Sequence, residues 1–411
     1  MTEPQQVYRD ELFVNHDSEI ELVEDAVSAA VEREAERKRA VTFYGERGSG
    51  KTWLMRRLGN LLPKDFVDKN VEVLSLFLAP PPVEPVPAPD EPRWFAVESE
   101  STMAEAVVLE AVKWVCRRWA ILHDPNAGLD ELTYWLGRDL PRKTDRTYVL
   151  LVDSVFEVNR DWLPRFEDHL LAPIASLENG LVVMTGRGAP FPWRSVPLRN
   201  DHCERVLAPF SEHAVADQLH SNHLNDDPAR VALIRKLGGG YPLNSYILAQ
   251  ADPPSLALDK LIRVLLEFVQ RPQQSQASEA LISLCVLERF REREISSMLT
   301  FYRICFEPSE PAPKFAAEDA RRVRDVLLEN ALVRWEIDGY TINASVQIAF
   351  RSYLCYRNIS LFEYLIDRAE AMYLEWADKY ENAREHYRRQ AALVCALRSE
   401  LVDSALRSVS S

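Results

Sequence analysis

From position 45 to position 52 the chain reads Gly-Glu-Arg-Gly-Ser-Gly-Lys-Thr. This is a G-x-x-x-x-G-K-[ST] pattern, whose residue types suit the holding of a polyphosphate. Gly45, Gly48 and Gly50 let the backbone curl until consecutive N–H groups, those of Glu46, Arg47 and Ser49 included, face inward toward phosphate oxygens. Lys51 supplies a point charge with the reach for β and γ phosphates, and the Thr52 hydroxyl is of the right type to sit on Mg²⁺. The competing reading is a glycine-rich turn with an incidental lysine.

What separates the two readings is context, because the pattern acts only between a strand and a helix. Ala40 to Tyr44 is a short apolar run rich in β-branched and aromatic residues and ended by glycine, which predicts a buried strand. Thr52 to Leu62 predicts a helix and Val71 to Leu78 a second strand, so the grammar is βαβ and implies a parallel sheet. Upstream, apolar residues at Ile20, Val23, Ala26, Val27, Ala30 and Val31 predict an amphipathic helix over Asp17 to Arg39. Two further buried strands are predicted, Arg146 to Asp153 and Leu181 to Thr185.

Those last strands bring chemistry to the same sheet edge. Asp153 ends its strand, where open α/β sheets bind ligands, and is placed to partner Mg²⁺; a helix cap or turn aspartate is the alternative. Ser154 carries no charge where ATP hydrolysis needs a carboxylate to orient water, leaving Glu157 as the candidate base and slow turnover as the expectation. Arg187, just after the Leu181 strand, has the permanent charge and planar fork that suit sensing a γ-phosphate; an exposed loop arginine is the alternative.

The rest of the chain bounds the reading. With 411 residues, two or three domains are expected. A hydrophobic fraction of 47% with 27% charged residues excludes the disordered and fibrous classes. The formal net charge of -14 opposes non-specific binding to nucleic acid or anionic membrane. The six cysteines form no CxxC pair and read as buried thiols of a reducing compartment. No apolar run reaches membrane length and the N-terminus is polar, so a cytoplasmic address is expected. Between Pro80 and Pro92 about half the residues are proline, which predicts an extended loop inserted within a domain. Helices return over Met103 to Leu122 and dominate from about Ser211. The exception is a hairpin predicted over Leu332 to Val346.

Taken in order, these segments resemble the STAND branch of the AAA+ ATPases, which includes the NB-ARC and NACHT proteins. Gly45 to Thr52 is similar to the family's Walker A, Val149 to Asp153 to its Walker B, and Val182-Val-Met-Thr-Gly-Arg187 to its sensor strand. Leu12 to Ile20 resembles its opening segment, which implies that Phe13 and Val14 contact adenine; Asn15 and His16 stand where Gly and Arg are usual. Leu207 to Leu219 resembles the start of the helical lid. Gly238-Gly-Gly-Tyr-Pro-Leu243 resembles the G-x-P segment, which implies that Pro242 packs at the base. At the place of the subgroup's Met-His-Asp triplet the chain reads Ile342-Asn343-Ala344.

The implied architecture is an α/β P-loop NTPase domain with a parallel sheet over 1–206, carrying the Pro-rich insertion at about 79–93. A helical lid over 207–275, a winged-helix domain over 276–358 and C-terminal helices over 359–411 would follow. The resemblance implies an ATP/ADP switch with Mg²⁺, a protein partner or effector, and ATP-dependent homo-oligomerisation. Two readings compete with it: an initiator-like AAA+ ATPase binding DNA through Arg289, Arg291, Arg293 and Arg303, and a scaffold whose nucleotide is not hydrolysed. Glu288, Glu292 and Glu294 are interleaved with those arginines and blunt the field that DNA binding needs.

Overall fold

In a computed structural model, residues 8–78, 93–94, 103–121, 124, 126–143, 145–156, 163–187, 192–267, 269–306 and 317–408 are described. The chain divides into two compact units, Met1–Pro209 and Phe210–Ser411. The Pro-rich stretch 79–92 and Glu157 lie outside the described residues.

The first unit is built on a parallel sheet of β1 (Ala40–Tyr44), β2 (Val71–Phe77), β3 (Arg93–Trp94), β4 (Thr147–Asp153), β5 (Gly180–Gly186) and β6 (His202–Val206), in the spatial order β3-β2-β4-β5-β1-β6. Every residue of β1, β4 and β5 is buried, which is why they read as continuous apolar runs. The pleat sends alternate residues to opposite faces. Val149, Leu151, Leu181 and Val183 pack with Val23 and Val27 of the helix Asp17–Glu32 and with Leu54, Met55 and Leu58 of the helix Lys51–Asp65. Tyr148, Leu150, Val152, Val182 and Met184 face the opposite cluster, with Val108, Val112 and Val115 of Met103–Arg118 and Leu132 and Leu136 of Leu129–Asp139.

The structure corrects several sequence expectations. The first helix stops at Glu32 instead of running to Arg39, because Arg33 turns left-handed at φ 56° and its amide caps the carbonyls of Ala29 and Ala30. The residues beyond it are used otherwise. Arg37 is buried and donates to the carbonyls of Gly180 at 2.8 Å and Leu177 at 2.5 Å. The helix from Met103 likewise ends at Arg118, and Ala120 is left-handed at φ 51°. Strands β3 and β6 were not predicted. β6 lies at the sheet edge, and its half-buried to exposed residues carry no apolar alternation. It is held to β1 by the backbone ladder and by Thr42 Oγ1, 2.6 Å from His202 Nε2.

Among its described residues, the second unit is helical except for one hairpin. Helices Glu212–Ser221, Pro228–Gly238, Pro242–Leu248 and Leu258–Leu266 come first. Ser211 and Asp227 cap the first two through side-chain oxygens. Arg271–Leu284, Glu292–Phe306 and Ala317–Glu329 follow, then the antiparallel pair β7 (Val333–Glu336) and β8 (Gly339–Ile342), within the span where a hairpin is predicted. Phe290 bridges to Tyr340, adding a third short arm to that hairpin. Helices Ala344–Arg357, Ile359–Lys379 and Arg384–Ser408 complete the unit. Among the described residues no helix is long and apolar enough to cross a membrane.

Candidate functional site

The loop from Gly45 to Gly50 joins the carboxyl end of β1 to the helix Lys51–Asp65. Its turns need glycine: Gly48 sits at φ 77° and Gly50 at φ 94°, both in the left-handed region. Gly45 is fixed by crowding instead, since an added Cβ would lie 2.3 Å from Ser49 Oγ. Gly45 N donates to the carbonyl of Gly186, tying the loop to β5. Helix geometry leaves the first-turn amides without intrahelical acceptors, whereas the Ser49 amide, expected to face a phosphate, donates to the Glu46 carbonyl at 3.2 Å.

Three side chains predicted from sequence are brought to this edge. Lys51 is buried, and its Nζ donates to the carbonyls of Gly45 at 2.8 Å and Glu46 at 2.9 Å, so the ammonium is held over the loop. Thr52 Oγ1 donates to Asp153 Oδ2 at 2.8 Å. That bond reaches past a whole strand, because β5 lies between β1 and β4. Asp153 is buried, and its other oxygen accepts a short hydrogen bond from Thr185 Oγ1. The Ser154 amide donates to Thr185 Oγ1 at 3.4 Å, and Ser154 Oγ lies 3.4 Å from Asp153 Oδ2.

Ser154 is itself left-handed, at φ 63°. A non-glycine residue there is uncommon and marks a constrained turn. The turn carries the chain across the end of β5, where the Val155 amide donates to the Thr185 carbonyl at 2.9 Å. Phe156 then stacks on Tyr44, with ring centroids 5.3 Å apart and planes at 19°. Gly186 leaves room for this ring, since a Cβ there would come within 2.0 Å of Phe156 Cδ2. Arg187 follows directly, half-buried at the same carboxyl edge.

The remaining predicted residues fall into three groups. Phe13 and Val14 are half-buried, and Phe13 packs against the cluster formed with the helix Lys51–Asp65. Arg57 Cζ stands 6.0 Å from the Phe13 ring. Asn15 and His16 are both left-handed, at φ 63° and 68°, so the opening segment makes a tight turn into its helix. Pro242 lies in the second unit as the first residue of Pro242–Leu248, its carbonyl accepting from Gln218 Nε2 at 2.9 Å. Asn343 is buried there too; its Nδ2 donates to the Ala331 carbonyl at 2.5 Å and its backbone caps Ala344–Arg357. Thr185 was missed as a site residue. Its identity was visible, but its partner depends on β5 lying beside β4, which the sequence does not disclose.

The fit to a polyphosphate can be judged on the loop itself. A glycine-lined curl, an ammonium held at its mouth and a buried Ser49 Oγ without a hydrogen-bond partner among the described residues make a cradle with polar groups to spare. Among the described residues no group of three or more His, Cys, Asp or Glu could hold a metal ion. Thr52 and Asp153 alone are the kind of sparse set that Mg²⁺ uses when phosphate oxygens and water complete its shell.

Neither a family model nor a curated protein matches the chain. Among solved structures it is similar to the Walker-type ATPase of Pyrococcus abyssi, 12% identical, over 85% of this chain and 99% of that one, with a TM-score of 0.49. It is also similar to the ORC1 protein of Aeropyrum pernix in complex with DNA, 18% identical, over 83% and 94% of the two chains, at 0.43. A third likeness is to a STAND protein with a tetratricopeptide repeat sensor from Pyrococcus horikoshii, 13% identical, at 0.36; it spans 96% of this chain but 50% of that one. These likenesses are distant, and the chemistry of the site rests on its own geometry.

Proposed function

We propose that the chain is a nucleotide-gated switch of the STAND kind, serving signalling or defence. In this reading it binds ATP and ADP with Mg²⁺ at the Gly45 to Thr52 loop, hydrolyses ATP slowly, and changes conformation and assembly with the γ-phosphate. The observation that carries the reading is the bond from Thr52 Oγ1 to Asp153 Oδ2, 2.8 Å, beside an ammonium held over a glycine cradle. A hydroxyl and a carboxylate joined in this way at a helix N-terminus are the protein's share of a Mg²⁺–phosphate site. The loop amides and Lys51 would hold the β and γ phosphates. Mg²⁺ would neutralise charge shared between those oxygens. Arg187 would read the γ-phosphate from the same sheet edge. The adenine contacts assigned to Phe13, Val14 and Pro242 rest on the resemblance alone.

Slow turnover follows from the turn after Asp153. Ser154 stands next to the metal carboxylate and has no negative charge with which to orient water, and Glu157 is the remaining candidate from sequence. In the second unit, the order helix, Phe290 bridge, two helices and hairpin is that of a winged helix, which supports assigning 276–358 to one, with a lid before it and helices after it.

The DNA-binding reading finds less support, because its arginines are engaged within the second unit. Arg289 lies 3.4 Å from Glu336 and 3.6 Å from Asp338, and Arg291 Nε donates to the Asp338 carbonyl. Arg293 stands over Trp376 at 3.8 Å, and Arg303 pairs with Glu279 at 3.7 Å.

Limited proteolysis of the full chain with Mg·ADP and with a non-hydrolysable Mg·ATP analogue tests the switch. Wild type is expected to give two different patterns, and Arg187→Ala to bind both nucleotides yet give the ADP pattern with each. Identical wild-type patterns at saturating nucleotide would refute the switch.

A further inference from the structure

Glu167 is fully buried, and the site described so far makes no use of it. It opens a π-helical turn, Glu167–Leu171, set between the helical stretches Leu163–Phe166 and Ala172–Ala175. A π turn widens the helix by one residue and re-aims the side chains around it. Here it buries Glu167 together with Leu170 and Leu171.

The carboxylate spans two connections of the sheet. Glu167 Oε1 accepts from the backbone amides of Arg194 at 2.7 Å and Ser195 at 2.6 Å, and Arg194 Nε stands 3.6 Å from Oε2. Arg194 also reaches Asp168 Oδ2 at 2.7 Å and the Pro164 carbonyl at 3.0 Å. Residues 163–175 belong to the connection that leaves β4 after Asp153, and residues 192–200 to the connection that leaves β5 after Gly186 and begins with Arg187. Next to the staple, Trp193 is buried, and its ring lies 6.0 Å from Phe156, which stacks on Tyr44 immediately before Gly45. An unbroken run of contacts therefore joins the stapled loop to the start of the phosphate cradle.

We infer that Glu167 is a positioning residue for γ-phosphate recognition: by tying Arg194 and Ser195, in the connection that follows Arg187, to the turn at 164–168, in the connection that follows Asp153, it sets where the arginine stands relative to that carboxylate. This rests on Arg187 being the γ-phosphate sensor. A charged acceptor suits the role because hydrogen bonds from backbone amides to a carboxylate are shorter and stronger than neutral ones, and burial keeps water from competing. The consequence concerns discrimination between ATP and ADP and leaves ADP affinity alone.

The test compares wild type, Glu167→Gln and Arg194→Ala, each as the full chain. Amide hydrogen exchange over residues 192–200 is read without nucleotide, and equilibrium Kd values are measured for Mg·ADP and a non-hydrolysable Mg·ATP analogue. Glu167→Gln is expected to speed exchange over 192–200 and to cut the ATP-over-ADP preference by about fivefold or more, with the Kd for ADP held. Arg194→Ala, a change at a half-exposed side chain, is expected to act in the same direction more weakly, and it carries the test if Glu167→Gln fails to fold. Unchanged exchange would overturn the staple. Faster exchange with an unchanged ATP preference would overturn the positioning role. A wild type without any ATP preference would remove the sensor reading of Arg187, and the inference with it, while leaving the staple visible in the exchange data.

Discussion

Asp153 is held by two hydroxyls from different parts of the sheet edge, Thr52 at the start of the helix Lys51–Asp65 and Thr185 near the end of β5. Its orientation is therefore set before any ligand arrives, which is what the Mg²⁺ role proposed for it would require. Just beyond it, the packing of Phe156 on Tyr44 depends on Gly186 having no side chain. Gly186→Ala is expected to cost about 1–3 kcal/mol through overpacking, measured as a lower denaturation midpoint. Gly137→Ala is the control: its added Cβ meets nothing within 4 Å, and its place inside Leu129–Asp139 makes the change neutral or stabilising. Equal losses in the two variants would contradict this account of the edge. At this scale the sequence was partly legible. The residues of the loop, Asp153 and Arg187 could be named as candidates by type and spacing, and the structure places them at one sheet edge. Thr185 and Glu167 could not, because each acts through a partner that only the strand order and a π turn bring within reach.

Within the first unit's sheet, the strands buried on both faces were the most legible and the edge strands the least. β1, β4 and β5 are apolar throughout because neither face meets water, whereas β6, His202-Cys-Glu-Arg-Val206, is an edge strand with no such pattern. Helix ends were misjudged where a left-handed residue, Arg33 or Ala120, ended the helix inside a sequence still rich in helix formers. β6 nonetheless has a measurable signature. Burial, with a smaller contribution from Lys38, pushes the His202 imidazole down to about 4, while its ring bonds Thr42. The unfolded chain takes up this proton near pH 6.5 and the folded chain only near 4. The stabilising effect is thus complete above about pH 6.5 and is lost as pH falls toward 4, with a limiting slope of about 1.4 kcal/mol per pH unit. Denaturant titrations at pH 7.5 and 5 should show a smaller pH dependence for His202→Asn than for wild type. An unaltered pH dependence would mean that the ring is not held neutral by the fold.

The whole molecule divides into two compact units of similar length. The first holds every polar group proposed to touch phosphate, while the second, among its described residues, is helical with one hairpin. The second unit is braced by Arg293 against Trp376 and Tyr380 and by Arg398 against Asp367 and Glu370. The change from a sheet-based unit to a mainly helical one was readable because apolar periodicity switches from strand to helix near Ser211. What the second unit does was less readable, since Asn343 and Pro242 act inside that unit as a helix cap and a helix start. The proposed switch depends on the first unit gripping a polyphosphate. Calorimetric titration of Mg·ATP into the full chain and into Lys51→Ala measures that grip directly. Saturable binding at one site per chain in wild type, weakened by about a hundredfold or more in the variant, is the predicted result. Equal affinity in the two proteins, or no heat of binding to wild type at millimolar nucleotide, would contradict the account.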